Sequence, residues 1–139
     1  MTTRPSQCDV DSMTNAPVLS GSSVRVFGIL LTYQRQALFT EMLRQICAQQ
    51  RVPDCLVVVD NEASEETADI SRRFQETCPE SHWVHLRSPK NLGSAGGWAW
   101  GMETVIELAN DRDWVLTLDD DNPPDHDGLF RQMFEFAET

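Results

Sequence analysis

Basic residues are scarce in this chain: 11 Lys and Arg stand against 22 Asp and Glu, for a formal charge of -11. That balance excludes broad contact with nucleic acid or with anionic lipid, since both need clustered cations. Cysteine is sparse as well. The four cysteines, Cys8, Cys47, Cys55 and Cys78, form no C-x-x-C pair and have no histidine at zinc-ligand spacing, which argues against a metal knuckle and for reduced thiols. No apolar run approaches the ~20 residues that span a bilayer, and the N-terminus lacks the basic and apolar regions of a signal peptide. The expectation is a cytoplasmic chain with no transmembrane segment.

Residues 1–23 are rich in Ser, Thr, Asp, Asn and Pro without apolar periodicity, and read as a mobile, disordered tail. From Val24 the pattern changes. Val24, Val26, Phe27, Ile29, Leu30 and Leu31 form a near-continuous apolar run, as a parallel strand buried on both faces requires. Gln36 to Gln50 carries Leu38, Met42, Leu43 and Ile46 near helical spacing, and Pro53 precedes the second strand, Leu56 to Val59. Ser64 to Cys78 predicts a helix opened by a serine cap, with Glu65 and Glu66 in its first turn where they complement the helix dipole. Trp83 to Leu86, Ser94 to Asn110, Trp114 to Leu118 and Gly128 to Thr139 then read as strand, helix, strand and short helix. Such alternation implies an α/β domain over 24–139, a mostly parallel sheet with helices on both faces.

In an open parallel sheet, ligands bind beyond the carboxyl ends of the strands. The residues that follow each apolar run are Thr32, Tyr33, Gln34 and Arg35; Asp60 and Asn61; Lys90, Asn91 and Gly93; and Asp119, Asp120 and Asp121. Carboxylates two residues apart on an extended chain can point to one side and share a hard divalent ion, Mg²⁺ or Mn²⁺, with phosphate oxygens. A solvated acidic turn is the plainer reading of the triplet. An EF-hand fails, because aligning Gly128 with the loop glycine puts Pro123 at the first ligand position. The run NLGSAGGWAWGM supplies glycines at a strand-to-helix turn, yet matches neither the dinucleotide fingerprint nor a P-loop. Gly101 reads as a helix-to-sheet packing residue. Trp98 and Trp100 fit either a sugar platform or the core. His82, His85 and His126 have no evident partner in sequence, and are read as ordinary core or surface residues.

Taken in order, VRVFGILLTYQR, LVVVDNEASEETADI, SPKNLGSAGGWAWGM and WVLTLDDDN resemble the nucleotide-sugar-binding half of family-2 glycosyltransferases with the Rossmann-like GT-A fold. The resemblance covers about residues 24 to 125. It implies that Thr32, Tyr33 and Arg35 hold the base, that Asp60 accepts the imide of uracil or thymine, and that Asn91 and Gly93 lie along the nucleotide. It further implies that Asp119 and Asp120 bind ribose and diphosphate, and that Asp119 and Asp121 hold the metal. The reaction implied is inverting transfer from a UDP- or dTDP-sugar to a glycan or lipid-linked acceptor. The setting implied is cell-envelope polysaccharide synthesis, with the protein cytoplasmic or peripheral at the inner face of the membrane, and galactofuranosyl and rhamnosyl transferases are the branch it resembles. Family members continue beyond this chain's last residue into the part that supplies acceptor site and catalytic base, so no base is named here and a non-catalytic nucleotide-sugar-binding fragment is the alternative. A sugar nucleotidyltransferase is disfavoured, because TYQRQ holds no glycine where that class carries a glycine-rich loop.

Overall fold

The computed structural model describes residues 9–12 and 24–139. Its elements are β1 (Asp9–Ser12), β2 (Val26–Thr32), α1 (Gln36–Cys47), β3 (Cys55–Asp60), α2 (Glu65–Thr77), β4 (His82–Arg87), α3 (Gly93–Leu108), β5 (Trp114–Asp119) and α4 (Leu129–Glu138). One sheet takes the order β1-β4-β3-β2-β5, with β4, β3, β2 and β5 parallel and β1 antiparallel to β4. The central strands are apolar on both faces because helices cover both. Leu30, Leu56 and Val58 meet Phe39, Met42, Leu43 and Ile46 of α1, Ile70 of α2, and Phe130 and Phe134 of α4. On the opposite face Ile29, Val57 and Val59 meet Trp100 and Val105 of α3.

Each helix has a local cause. In α1 the buried residues Phe39, Met42, Leu43 and Ile46 lie three and four apart on one face. In α2 the Ser64 hydroxyl accepts the Thr67 N–H at 3.1 Å, and Glu65 and Glu66 occupy the first turn. Helix α3 lies close against the sheet because Gly97 and Gly101 present no side chain to it. A Cβ at Gly97 meets Leu31 Cδ1 at 2.5 Å, and one at Gly101 meets Ile29 Cγ2 at 2.7 Å. The packing role read for Gly101 is what the structure holds.

Two expectations are corrected. Asp9–Ser12, assigned to a disordered tail, pairs with β4 from Asp9 beside Arg87 to Ser12 beside Val84; the rest of 1–23 lies outside the described residues. The physical reason is that an edge strand is held by backbone hydrogen bonds, which need no apolar pattern to announce them. Helix α1 also stops at Cys47 rather than Gln50. Gln49 is drawn out of helical register because its buried side chain donates to His126 O at 2.8 Å and accepts from Phe130 N at 3.0 Å, fixing the start of α4. Cys47, Cys55 and Cys78 are free thiols. No helix among the described residues is long and apolar enough to cross a membrane.

Candidate functional site

The strand ends dictate the site. Register sets Thr32 of β2 beside Asp60 of β3, and Leu31 beside Asp119 of β5. Alternation along the strands then sorts the side chains. Leu31 and Asp119 turn toward the α3 face, where a cleft of about 510 Å³ is lined by Leu31, Tyr33, Gln34, Arg35, Asn61, Asn91, Gly93, Ser94, Trp98 and Asp119. Of the residues singled out in sequence, Tyr33, Arg35, Asn91, Gly93 and Asp119 therefore share one cleft. Thr32, Asp60 and Asp120 do not line it, each being at most 2% exposed.

Asn61, named in sequence as a strand-end residue but given no role, organises one side of the cleft. It is buried, and its amide donates to Asn91 Oδ1 at 3.0 Å and to Gly93 O at 3.2 Å, while its Oδ1 accepts Leu92 N at 2.7 Å. Asn91 Oδ1 in turn accepts Gly93 N at 2.8 Å. The turn into α3 is thus stitched to the end of β3 by one side chain. Gly93 at φ 73 is where that turn needs a left-handed residue. The polar position directly after Asp60 was the available signal, but an asparagine there reads equally as a simple turn residue.

The aspartate triplet is split. Asp120 points inward, where Thr32 Oγ1 donates to its Oδ2 at 3.0 Å and Arg35 Nη2 lies 2.8 Å from its Oδ1. That guanidinium makes a charge contact without hydrogen-bond alignment, since Oδ1 has no hydrogen bond. Burial raises the Asp120 pKa above the ordinary carboxylate value, and the neighbouring Asp121 and Asp119 charges add to this, while Thr32 and Arg35 oppose it. Asp121 is exposed and meets Arg35 Nη1 at 3.5 Å. Asp119 and Asp121 therefore present open carboxylates, the hard oxygen donors that suit Mg²⁺ or Mn²⁺. No three His, Cys, Asp or Glu side chains converge on a common metal position among the described residues.

Asp60 is 1% exposed, and its Oδ2 has no hydrogen bond. His85 Nε2 lies 3.8 Å from that oxygen, a neighbour that the sequence did not reveal. Burial pushes the Asp60 pKa up to about 6, against a backbone hydrogen bond at Ser64 and the charge of Arg87. A carboxyl whose folded pKa is raised favours the fold when protonated. Its contribution is full below the unfolded value of about 3.8 and fades as pH rises through about 6. Asp60→Asn removes the charge at constant shape. It is expected to stabilise the protein at pH 7.5 by about 1–2 kcal/mol, less than the full shift implies because the new amide is itself imperfectly bonded. Urea denaturation should show that gain disappearing below pH 4, and a gain equal at both pH values would contradict a buried charge as its source.

The other aromatic and imidazole candidates separate by position. Trp98 lines the cleft, whereas Trp100 is buried in the α3 face of the core. His126 serves its own loop, accepting Gly128 N at Nδ1 over 3.2 Å.

Comparison with known proteins places this geometry in a lineage. The profile of the family described as "Glycosyltransferase like family 2" matches residues 26–139. The chain belongs to this family. The family-2 domain is 32% identical over 114 residues to the galactofuranosyltransferase GlfT1 of Mycolicibacterium smegmatis, covering 82% of this chain and 35% of that protein. It is 38% identical over 96 residues to GlfT1 of Mycobacterium tuberculosis, covering 69% of this chain and 30% of that protein. The chain thus spans about a third of the length of these relatives. Among solved structures, a mannosyltransferase from Pyrobaculum calidifontis in complex with GDP-Man and Mn²⁺ superposes with a TM-score of 0.62 at 24% identity, over 82% of this chain and 31% of that one. S. aureus TarS superposes with a TM-score of 0.64 at 19% identity, over 83% and 20%. The fold is the Rossmann-like α/β fold of GT-A glycosyltransferases.

Proposed function

We propose that the family-2 domain binds a UDP- or dTDP-sugar in the cleft between α3 and the strand ends, as the donor half of an inverting transferase acting in cell-envelope polysaccharide synthesis. The observation that carries this reading is the splitting of the triplet: Asp120 is held inside by Thr32 and Arg35, while Asp119 faces the cleft and Asp121 stays open to solvent. Such a division leaves two carboxylates for a divalent ion and gives the third a structural post. Asp119 and Asp121 would hold Mg²⁺ or Mn²⁺, which would supply positive charge against the departing nucleoside diphosphate.

The remaining side chains divide the donor among them. Tyr33, 39% exposed at the cleft, offers a ring for the base. Asp60 lies outside the cleft lining and is 1% exposed, so its unbonded Oδ2 accepts the imide N–H of uracil or thymine only when binding uncovers it. Asn91 and Gly93 carry the first turn of α3 along the cleft, and the N-terminus of that helix favours an anion. The relatives named galactofuranosyltransferases support a furanosyl donor; the acceptor we propose is a glycan or a lipid-linked sugar.

Calorimetric titration of UDP into the 139-residue chain tests the reading. Binding is expected with Mn²⁺ present and to be about tenfold weaker after chelation, the scale of one lost charge-assisted contact. Absent binding, or binding indifferent to Mn²⁺, would overturn it.

A further inference from the structure

Arg35 has a position that donor binding alone does not explain. It follows Gln34, whose φ of 49 turns the chain sharply after β2, and its own carbonyl accepts Phe39 N at 2.8 Å to open α1. Its backbone is therefore fixed, while its side chain is 50% exposed. That side chain reaches two of the three aspartates, with Nη2 2.8 Å from Asp120 Oδ1 and Nη1 3.5 Å from Asp121 Oδ2, and it also lines the cleft. Among the described residues it is the cation in salt-bridge contact with the triplet. Three adjacent carboxylates in a chain of charge -11 repel one another unless a positive charge stands among them. The contact is nevertheless incomplete, because Asp120 Oδ1, on a side chain 1% exposed, lacks a hydrogen bond.

Resting on the proposed donor site, we infer that Arg35 is the resident counter-cation of the triplet, which a divalent ion displaces from Asp121 so that the guanidinium turns to the donor's diphosphate. A divalent ion on Asp121 and a guanidinium 3.5 Å from Asp121 Oδ2 repel each other, which weakens the hold of the carboxylate on both. A diphosphate relieves the conflict by offering the guanidinium a second anion to which it bonds in bidentate fashion. Metal and nucleotide then assist each other's binding, and by linkage the assistance is mutual. In the absence of nucleotide Arg35 holds metal affinity down.

The test is Mn²⁺ alone, with free ion followed by its paramagnetic resonance signal, titrated into the wild-type chain and into Arg35→Gln, Arg35→Met and Arg35→Lys, each with and without saturating UDP. Arg35→Gln and Arg35→Met are expected to bind Mn²⁺ alone about tenfold more tightly than wild type, with Arg35→Lys within about threefold of it. Adding UDP is expected to tighten Mn²⁺ binding about tenfold in wild type and by distinctly less in the two neutral variants, which keep the metal–diphosphate contact but lose the part that comes from Arg35 leaving Asp121. Arg35→Met keeps the aliphatic stem, so a folding defect in one neutral variant leaves the other to decide. Unchanged or weaker Mn²⁺ binding in the neutral variants, with wild type still binding Mn²⁺ in the presence of UDP, would overturn the role of Arg35 and leave the donor site standing. Failure of every form to bind Mn²⁺, with or without UDP, would remove the donor site and this inference together.

Discussion

Asp121→Ala is expected to weaken UDP binding in the presence of Mn²⁺ about tenfold, as much as chelation of the ion does, while leaving the thermal midpoint nearly unchanged. The two halves of that expectation have separate causes. The Asp121 side chain is 54% exposed and its one recorded contact is the 3.5 Å approach of Arg35, so its removal takes almost nothing from the fold, within about 0.5 kcal/mol. The affinity loss follows if Asp121 is a direct ligand, because the ion then keeps a single protein carboxylate. Asp120→Ala is the informative contrast. It frees the Thr32 hydroxyl and one end of Arg35, so it should lower stability as well as affinity. Calorimetry paired with thermal melting separates the two aspartates, and equal loss of binding with equal loss of stability in both would erase the distinction drawn between an open and an inward carboxylate.

Gly101→Val is expected to cost about 3 kcal/mol of stability and to lower the melting temperature by roughly 10 °C. A Cβ there meets Ile29 Cγ2 at 2.7 Å and Val59 Cγ2 at 3.3 Å. Both atoms belong to β-branched side chains of central strands that are 0% exposed, so neither can rotate away. Helix α3 has to lift off the sheet. The gain in helix propensity on leaving glycine recovers only a few tenths of a kcal/mol for valine. At Gly97 the near atom is Leu31 Cδ1 at 2.5 Å, the tip of a flexible, half-buried chain. Gly97→Ala should therefore cost far less stability, while pushing Leu31 into the cleft it lines. A melting series over both positions checks this, and an equal shift at Gly97 and Gly101 would show that the rigidity of the neighbour does not decide the outcome.

The four parallel strands were legible because each is an apolar run closed by polar residues, a composition that burial on both faces demands of β2, β3 and β4, although β5 is largely exposed. Their helices were legible from spacing and from Ser64. Strand β1 was not: Val10 is its one apolar residue, and its hold on β4 is a matter of backbone pairing. For the cleft, sequence identified which strand ends matter but not which side chains turn into it. Asp60 and Asp119 each close an apolar strand, yet one is buried and the other faces solvent. What separates them is sheet position, Asp60 lying between neighbours on both sides and Asp119 on an outer strand, and pairing order is a long-range property. The contact of Thr32 with Asp120 spans 88 residues, and that of Asn61 with the Asn91 turn spans 30. Neither leaves a local trace in the chain.

Strand β1 has one more effect, on how copies of the protein can meet. Asp9–Ser12 covers the β4 rim and becomes the rim itself in the order β1-β4-β3-β2-β5. A strand of four residues offers another chain few backbone groups to pair with. The opposite rim is the six-residue β5, where Trp114 is 50% and Val115 38% exposed. Four residues with almost no hydrophobic content thereby shorten one of the two edges through which sheets could join.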